Sequence, residues 1–282
     1  MNDTIAIIDY GSQYTQLIAR RIRELNVYSI IIPHDFQESY VDFNSIKGII
    51  LSGGPSSVYD ELSPKLNKNI LACDIPVLGV CYGLQLLIKN FNGNVKSGSI
   101  GEYGPSDIFI ENDSKLFINV PHKTNVWMSH GDRIDKMPKD WIITSNSDNK
   151  VISSVENKEG TVYGVQFHPE VVHTKEGKQI IKNFVVNICS AGQNWNSKNF
   201  INSTIQNIRN TVKDSKVLCA LSGGVDSTVV STLMKKAIGD NAICVFIDHG
   251  LLRKNEAQEV VDMFNNSLDL GINLYDRSKV FL

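Results

Sequence analysis

The sequence predicts an α/β protein: a mostly parallel sheet with helices on both faces, followed by a second, incomplete α/β unit. Three observations predict it. Short apolar runs alternate with longer segments of helical period. A polar stretch, SAGQNWNSKN, interrupts that alternation near residues 190–200. On each side of the break a strand-like run enters a glycine turn that opens a helix, GVCYG before it and SGGVDS after it.

Taken in order, TIAIID is a strand closed by Gly11, and TQLIARRIREL is a helix with Leu17, Ile18, Ile22 and Leu25 on one face. VYSIIIP, KGIILSGGP and PVLGVC are the next strands, stopped by Pro33, by Gly53, Gly54 and Pro55, and by a helix spanning residues 83–91. TNVWMSH, KVISSVE and TVYGVQFHPE read as strands, and KQIIKNFVVNIC as a helix. The expected division is a first domain over 1–190, a linker over 191–200 and a second unit over 201–282. In that unit FINSTIQNIRNTV is helical, KVLCALSGGVDS is a strand entering a glycine loop, and TVVSTLMKKAI is helical. AICVFIDHG is another strand and NEAQEVVDMFNNSL another helix. The unit is about 80 residues long, near the lower end for a domain, so it is expected to dock on the first or to belong to something longer.

Composition narrows the function. With 28 basic and 30 acidic residues the net charge is −2, which gives no electrostatic footprint for nucleic acid. The five cysteines (Cys73, Cys81, Cys189, Cys219, Cys244) are odd in number and have no C-x-x-C pair, against a disulfide framework or a zinc site. No signal peptide and no apolar run of membrane-spanning length is read, so the expected location is the reducing cytoplasm, with no membrane partner.

Two turns carry candidate chemistry. Cys81 sits between Gly79 and Gly83 at a strand-to-helix turn, the form of a nucleophile elbow with Cys in place of Ser. The helix start favours a thiolate, and the Tyr82 N–H is placed to meet an oxyanion. The plainer alternative is a buried free thiol. A base is expected at His168, with Glu170 two residues on and on the same side of extended backbone to orient the imidazole. The alternative there is a loop histidine beside Pro169. Ser52, Gly53 and Gly54 end the third strand and offer backbone N–H groups to an oxyanion, or form a plain turn. Ser129, His130, Gly131 and Asp132 offer polar groups to a substrate's amino and carboxylate ends. In the second unit Ser222, Gly223, Gly224, Val225, Asp226, Ser227 and Thr228 form an anion-binding loop at a helix N-terminus or a Ser/Thr-rich glycine turn, without the Gly-Lys-Ser/Thr of a Walker A loop.

GVCYGLQLL, FHPE and SGGP, in the family's order, resemble the class I glutamine amidotransferases over residues 1–190. The resemblance implies that family's mostly parallel sheet and a Cys81–His168–Glu170 triad hydrolysing glutamine through a glutamyl thioester. It also places Gln85 and residues 129–132 on the glutamine. DYGSQYTQLIARRIREL and SHGD narrow it to the amidotransferase domain of the GMP synthetases, with one departure at Gly101, where a basic residue is expected. SGGVDS resembles the pyrophosphate loop of the ATP pyrophosphatases, and FIDHGLLRKNE and GQNWNSKNFI resemble the GMP synthetases. These imply ATP with magnesium, and XMP as the acceptor of ammonia. They imply no redox or organic cofactor, no resident metal, and a homodimer formed through a domain beyond Leu282. The expectation is therefore a chain lacking the XMP-binding part and unable to make GMP by itself. The rival expectations are an inactive remnant and a stand-alone glutaminase subunit.

Overall fold

The computed structural model describes residues 3–37, 43–67, 69–72, 74–268 and 270–281; Cys73 lies outside them, and side chains 99, 100 and 267 are left aside. The chain divides into two compact units, Met1–Asn196 and Ser197–Leu282.

The first unit is built on one nine-stranded sheet. Its strands are β1 (Thr4–Asp9), β2 (Tyr28–Pro33), β3 (Ile46–Leu51), β4 (Val77–Val80), β5 (Asn94–Ile110), β6 (Lys123–Lys136), β7 (Trp141–Ser147), β8 (Ile152–Asn157) and β9 (Val162–Val165), in the order β2-β1-β3-β4-β9-β8-β7-β5-β6. From β2 to β9 all neighbours are parallel. From β9 to β6 all are antiparallel. The sheet is thus a parallel core with an antiparallel wing. The alternation in the sequence announces the core. The wing includes β5 and β7, which have no clean period: β5 contains four glycines or prolines and a register shift between Ser97 and Glu102.

Helices cover both faces of the core because its strands are apolar on both. In β1, Ile5 and Ile7 point to one face and Ala6 and Ile8 to the other, and all four are buried. The first pair packs with Ile18 and Ile22 of α1 (Thr15–Glu24) and Ile180, Ile181 and Phe184 near the end of the unit. The second packs with Ile70 of the short α2 (Asn69–Ala72) and Leu84, Leu87 and Ile88 of α3 (Tyr82–Asn90). In α1 Leu17 is only half-buried and Ala19 takes the core position beside Ile18. The later helix α4 (Gly177–Lys182) runs into a π-helical turn, Asn183–Ile188. The polar stretch after it is held to this unit: Gly192 N–H donates to Asp3 and Trp195 N–H to the Asn26 carbonyl.

The second unit starts with α5 (Ser197–Val212). Three parallel strands, β10 (Val217–Leu221), β11 (Ala242–Asp248) and β12 (Asn273–Asp276), pair in that order. They alternate with α6 (Val225–Ile238) and α7 (Glu256–Leu268), and α8 (Ser278–Phe281) follows. Its core is small: Cys219, Leu221, Cys244, Phe246, Phe264 and Leu270. Among the described residues no helix is long and apolar enough to cross a membrane.

Candidate active site

Parallel pairing brings the candidate residues of the first unit to one edge. Val80 of β4 lies opposite Val165 of β9, and the Cys81 N–H donates to the Val165 carbonyl. Cys81 and the loop carrying His168 and Glu170 therefore leave adjacent strand ends, and Ser52, Gly53 and Gly54 leave the end of β3 on the other side. This is the carboxyl edge of a parallel sheet, where strand ends and helix starts form a crevice.

Cys81 occupies a turn that only its neighbours permit. Its φ is 51° and ψ −104°, a sparsely populated combination for a residue with a Cβ. A Cβ on Gly79 would lie 2.6 Å from the Leu84 nitrogen, and one on Gly83 would lie 2.4 Å from the Leu51 carbonyl oxygen. The turn points the thiol into the crevice and puts Tyr82 at the first position of α3, whose N–H has no intrahelical acceptor.

The imidazole is fixed from several sides. His168 Nδ1 donates to Glu170 Oε1 at 2.8 Å, and Glu170 is fully buried. Thr174 Oγ1 donates to the His168 carbonyl and accepts the Trp127 N–H, while Arg21 Nε donates to the Glu170 carbonyl. Tyr14 packs edge-on against the ring, and a Cβ on Gly53 would come within 3.1 Å of it. Burial disfavours the imidazolium, but hydrogen bonds to Cys81 and Glu170, with the charges of both, outweigh it and push His168 up to about 10.

Two cavities meet at Cys81. One, of about 310 Å³, is lined by Gly11, Ser12, Gln13, Tyr14, Gly54 and His168. The other, of about 380 Å³, is lined by Gln85, Tyr103, Ser129, His130, Gly131 and Asp132 among others. Residues 129–132 belong to β6, at the far end of the strand order, yet the Ser129 carbonyl lies 3.7 Å from Cys81 Sγ. They are braced: His130 Nδ1 donates to the Asp132 carbonyl, and the Asp132 carboxylate accepts from Ser57 Oγ at 2.6 Å. Behind them the buried Glu102 carboxylate faces His130 Nε2 at 3.2 Å and accepts hydrogen bonds from Ser147 and Asn149. Burial opposes that charge, but these partners prevail and hold Glu102 below the usual carboxylate range.

Sequence reasoning passed over several of these side chains. Gln166 lies two residues before His168 in TVYGVQFH, which reads as a strand, so the spacing is the available signal although the chain bends at Gln166 and Phe167. Residues 11–14 follow β1, and their position at a strand-to-helix turn is the available signal. Arg21, Thr174 and Glu102 act through contacts that no local pattern encodes.

In the second unit, residues 222–228 join β10 to α6. Gly223 has φ +78°, and the Ser222, Ser227 and Thr228 hydroxyls fold the loop onto itself: Ser227 and Thr228 donate to the Gly224 carbonyl, and Ser222 accepts the Gly224 N–H. Asp226 lies in the first turn of α6, and Val225 is exposed. The loop is open to solvent at a helix N-terminus, where free N–H groups favour an anion.

Known proteins resemble both units. Residues 6–188 match the glutamine amidotransferase class-I family, and residues 197–278 match the PP-loop domain. A GMP synthase (glutamine-hydrolysing) of Bacillus cytotoxicus is 46% identical over 281 residues, covering 100% of this chain and 55% of the relative. The chain thus spans about half the length of the curated relatives it matches. A solved structure from Thermoplasma acidophilum, provisionally described as one component of a GMP synthase, aligns with TM-score 0.61 and 29% identity, covering 72% of this chain and 98% of that one. A Thermotoga maritima glutamine amidotransferase shares the fold at TM-score 0.51 and 22% identity, covering 68% of this chain and 87% of that one.

Proposed function

The chain belongs to the class-I glutamine amidotransferase family, and from that premise we propose that its first unit hydrolyses glutamine to glutamate and ammonia for a glutamine-hydrolysing GMP synthase. The observation that carries this reading is a thiol in a strained elbow, lining one cavity with an imidazole that a fully buried carboxylate orients.

In this reading glutamine lies in the cavity walled by Gln85, Tyr103 and residues 129–132, with its amide carbon over Cys81. The thiolate attacks that carbon. The developing oxyanion meets the Tyr82 N–H and the backbone of Gly53 and Gly54. The His168 imidazolium gives its proton to the amide nitrogen, the C–N bond breaks, and ammonia leaves a glutamyl thioester. His168, now neutral, takes a proton from water. The hydroxide adds to the thioester, the C–S bond breaks, and glutamate departs as the thiolate re-forms beside the imidazolium. Glu170 holds the imidazole in the productive tautomer throughout.

The loop at residues 222–228 takes the pyrophosphate part of Mg–ATP, which arrives as substrate, and ATP activates the C2 oxygen of XMP for displacement by the ammonia. The PP-loop match over residues 197–278 and the GMP synthase relatives support this half. The reading is tested by glutamate release from glutamine. Cys81→Ala and His168→Ala are expected to abolish it, and a glutamine-analogue electrophile is expected to label Cys81 and no other cysteine. Undiminished release by Cys81→Ala would sink the proposal. For the second half, equilibrium dialysis with Mg–ATP is expected to show binding that weakens at least tenfold in a Gly223→Val, Gly224→Val double variant.

A further inference from the structure

We infer that Gln166 is a catalytic residue whose side-chain amide holds an N–H on the sulfur of Cys81 and stabilises the thiolate; the inference rests on the reading of Cys81 as nucleophile. Gln166 follows β9, is fully buried, and contacts Cys81 Sγ through Nε2 at 3.6 Å. A buried amide must satisfy both its ends, so its orientation follows from its partners.

Those partners leave one arrangement. The Asp132 backbone carbonyl accepts only, so the amide end of Gln85 that faces it, at 3.4 Å, is Nε2. The second N–H of that nitrogen meets Gln166 at 3.4 Å, which requires Oε1 there. The NH₂ of Gln166 is left facing the sulfur. Reversing Gln166 would set its NH₂ against that of Gln85. The relay therefore begins at a backbone carbonyl in the wall of the glutamine cavity and ends as a fixed donor on the nucleophile.

A thiol sulfur is a weak acceptor and a thiolate a strong one, so a fixed N–H favours the charged form. The other groups facing Cys81 are accounted for. His168, with Glu170 behind it, comes from the loop after β9; β6 presents the uncharged Ser129 carbonyl; the Asp132 carboxylate is engaged by Ser57; and α3 offers the Tyr82 N–H, the Gly83 N–H being donated to the Ser52 carbonyl. Gln166 thus supplies a side-chain donor that carries no charge and does not take part in proton transfer.

The test is peptide-resolved alkylation of Cys81 by iodoacetamide across pH, in the full chain and its Gln166→Met and Gln166→Glu variants. Alkylation needs no glutamine, so absence of glutamate release in the parent chain would defeat the functional reading without touching this one. At pH 7 the Met variant is expected to react about tenfold more slowly, the loss of one hydrogen bond to a charged group. The Glu variant is expected to react more slowly still. The deficit of both variants should disappear at alkaline pH, where stabilising the thiolate gives the parent no advantage. Parent-like rates at pH 7 in either folded variant would overturn the inference, as would a deficit that persists at alkaline pH, because a merely distorted site stays slow at every pH. If Gln166→Met does not fold, the nearly isosteric Glu variant decides by the same criteria.

Discussion

At Cys81 the backbone holds φ 51° and ψ −104°, and the cost of that conformation is met by two glycines that let α3 close against β3 and β4. A methyl group at either glycine has nowhere to go, because the obstructing atoms are backbone. Gly83→Ala is expected to destabilise the first unit by about 3 kcal/mol and to slow Cys81 alkylation, read by urea unfolding and by mass spectrometry. His168 makes a pH prediction. Its folded-state value of about 10 lies above the unfolded 6.5, so the folded protein holds the proton more tightly. The stability this contributes is complete below about pH 6.5 and is lost as pH rises toward 10. Glu170→Gln removes much of the cause. The stability gap between parent and variant should therefore be widest near pH 6 and narrow steadily to about pH 10, measured as urea midpoints at fixed pH values.

At the scale of elements, the crevice depends on strand pairing. The pairing of β4 with β9 places Cys81 and His168 side by side although 87 positions separate their numbers, and β6 reaches back from the far end of the sheet to supply residues 129–132. The wing strand β5 holds that segment through Glu102, whose carboxylate joins His130 of β6 to Ser147 and Asn149. Glu102→Gln keeps the shape and removes the charge facing His130. It is expected to cost about 2 kcal/mol in unfolding free energy and to weaken labelling by a glutamine analogue more than alkylation by iodoacetamide. Equal losses for both reagents would show that Glu102 serves the fold and not the cavity. These contacts were not legible in the sequence: SGSIGEYGPSD in β5 lacks strand period, and its role follows from its neighbours on both sides.

At the scale of the molecule, the two units differ in the core each can bury. The first sets two large clusters on opposite faces of one sheet, and its last residues are bound back to Asp3 and Asn26. Among the described residues the second has six buried apolar or thiol side chains in its core cluster. Small units bury a smaller fraction of their surface and are correspondingly marginal. Residues 1–196 expressed alone are therefore expected to unfold in one cooperative transition and to keep the Cys81 reactivity of the full chain. Residues 197–282 alone are expected to unfold at a clearly lower urea concentration, or without a sigmoidal transition.

The sequence by itself determined the parallel core, the two glycine turns and the residue types at the crevice, because each is a local matter. Apolar period sets a strand or a helix, and a glycine permits a turn; the extended chain expected from His168 to Glu170 is a turn at Pro169 and Glu170, which still brings His168 Nδ1 to Glu170 Oε1. Only the tertiary structure decided what those residues meet. The return of β6 to Cys81, the Glu102–His130 pair, and the relay from Asp132 through Gln85 and Gln166 to the sulfur join positions 28 to 85 residues apart. Such contacts arise from strand order and register, and no single window of sequence carries either.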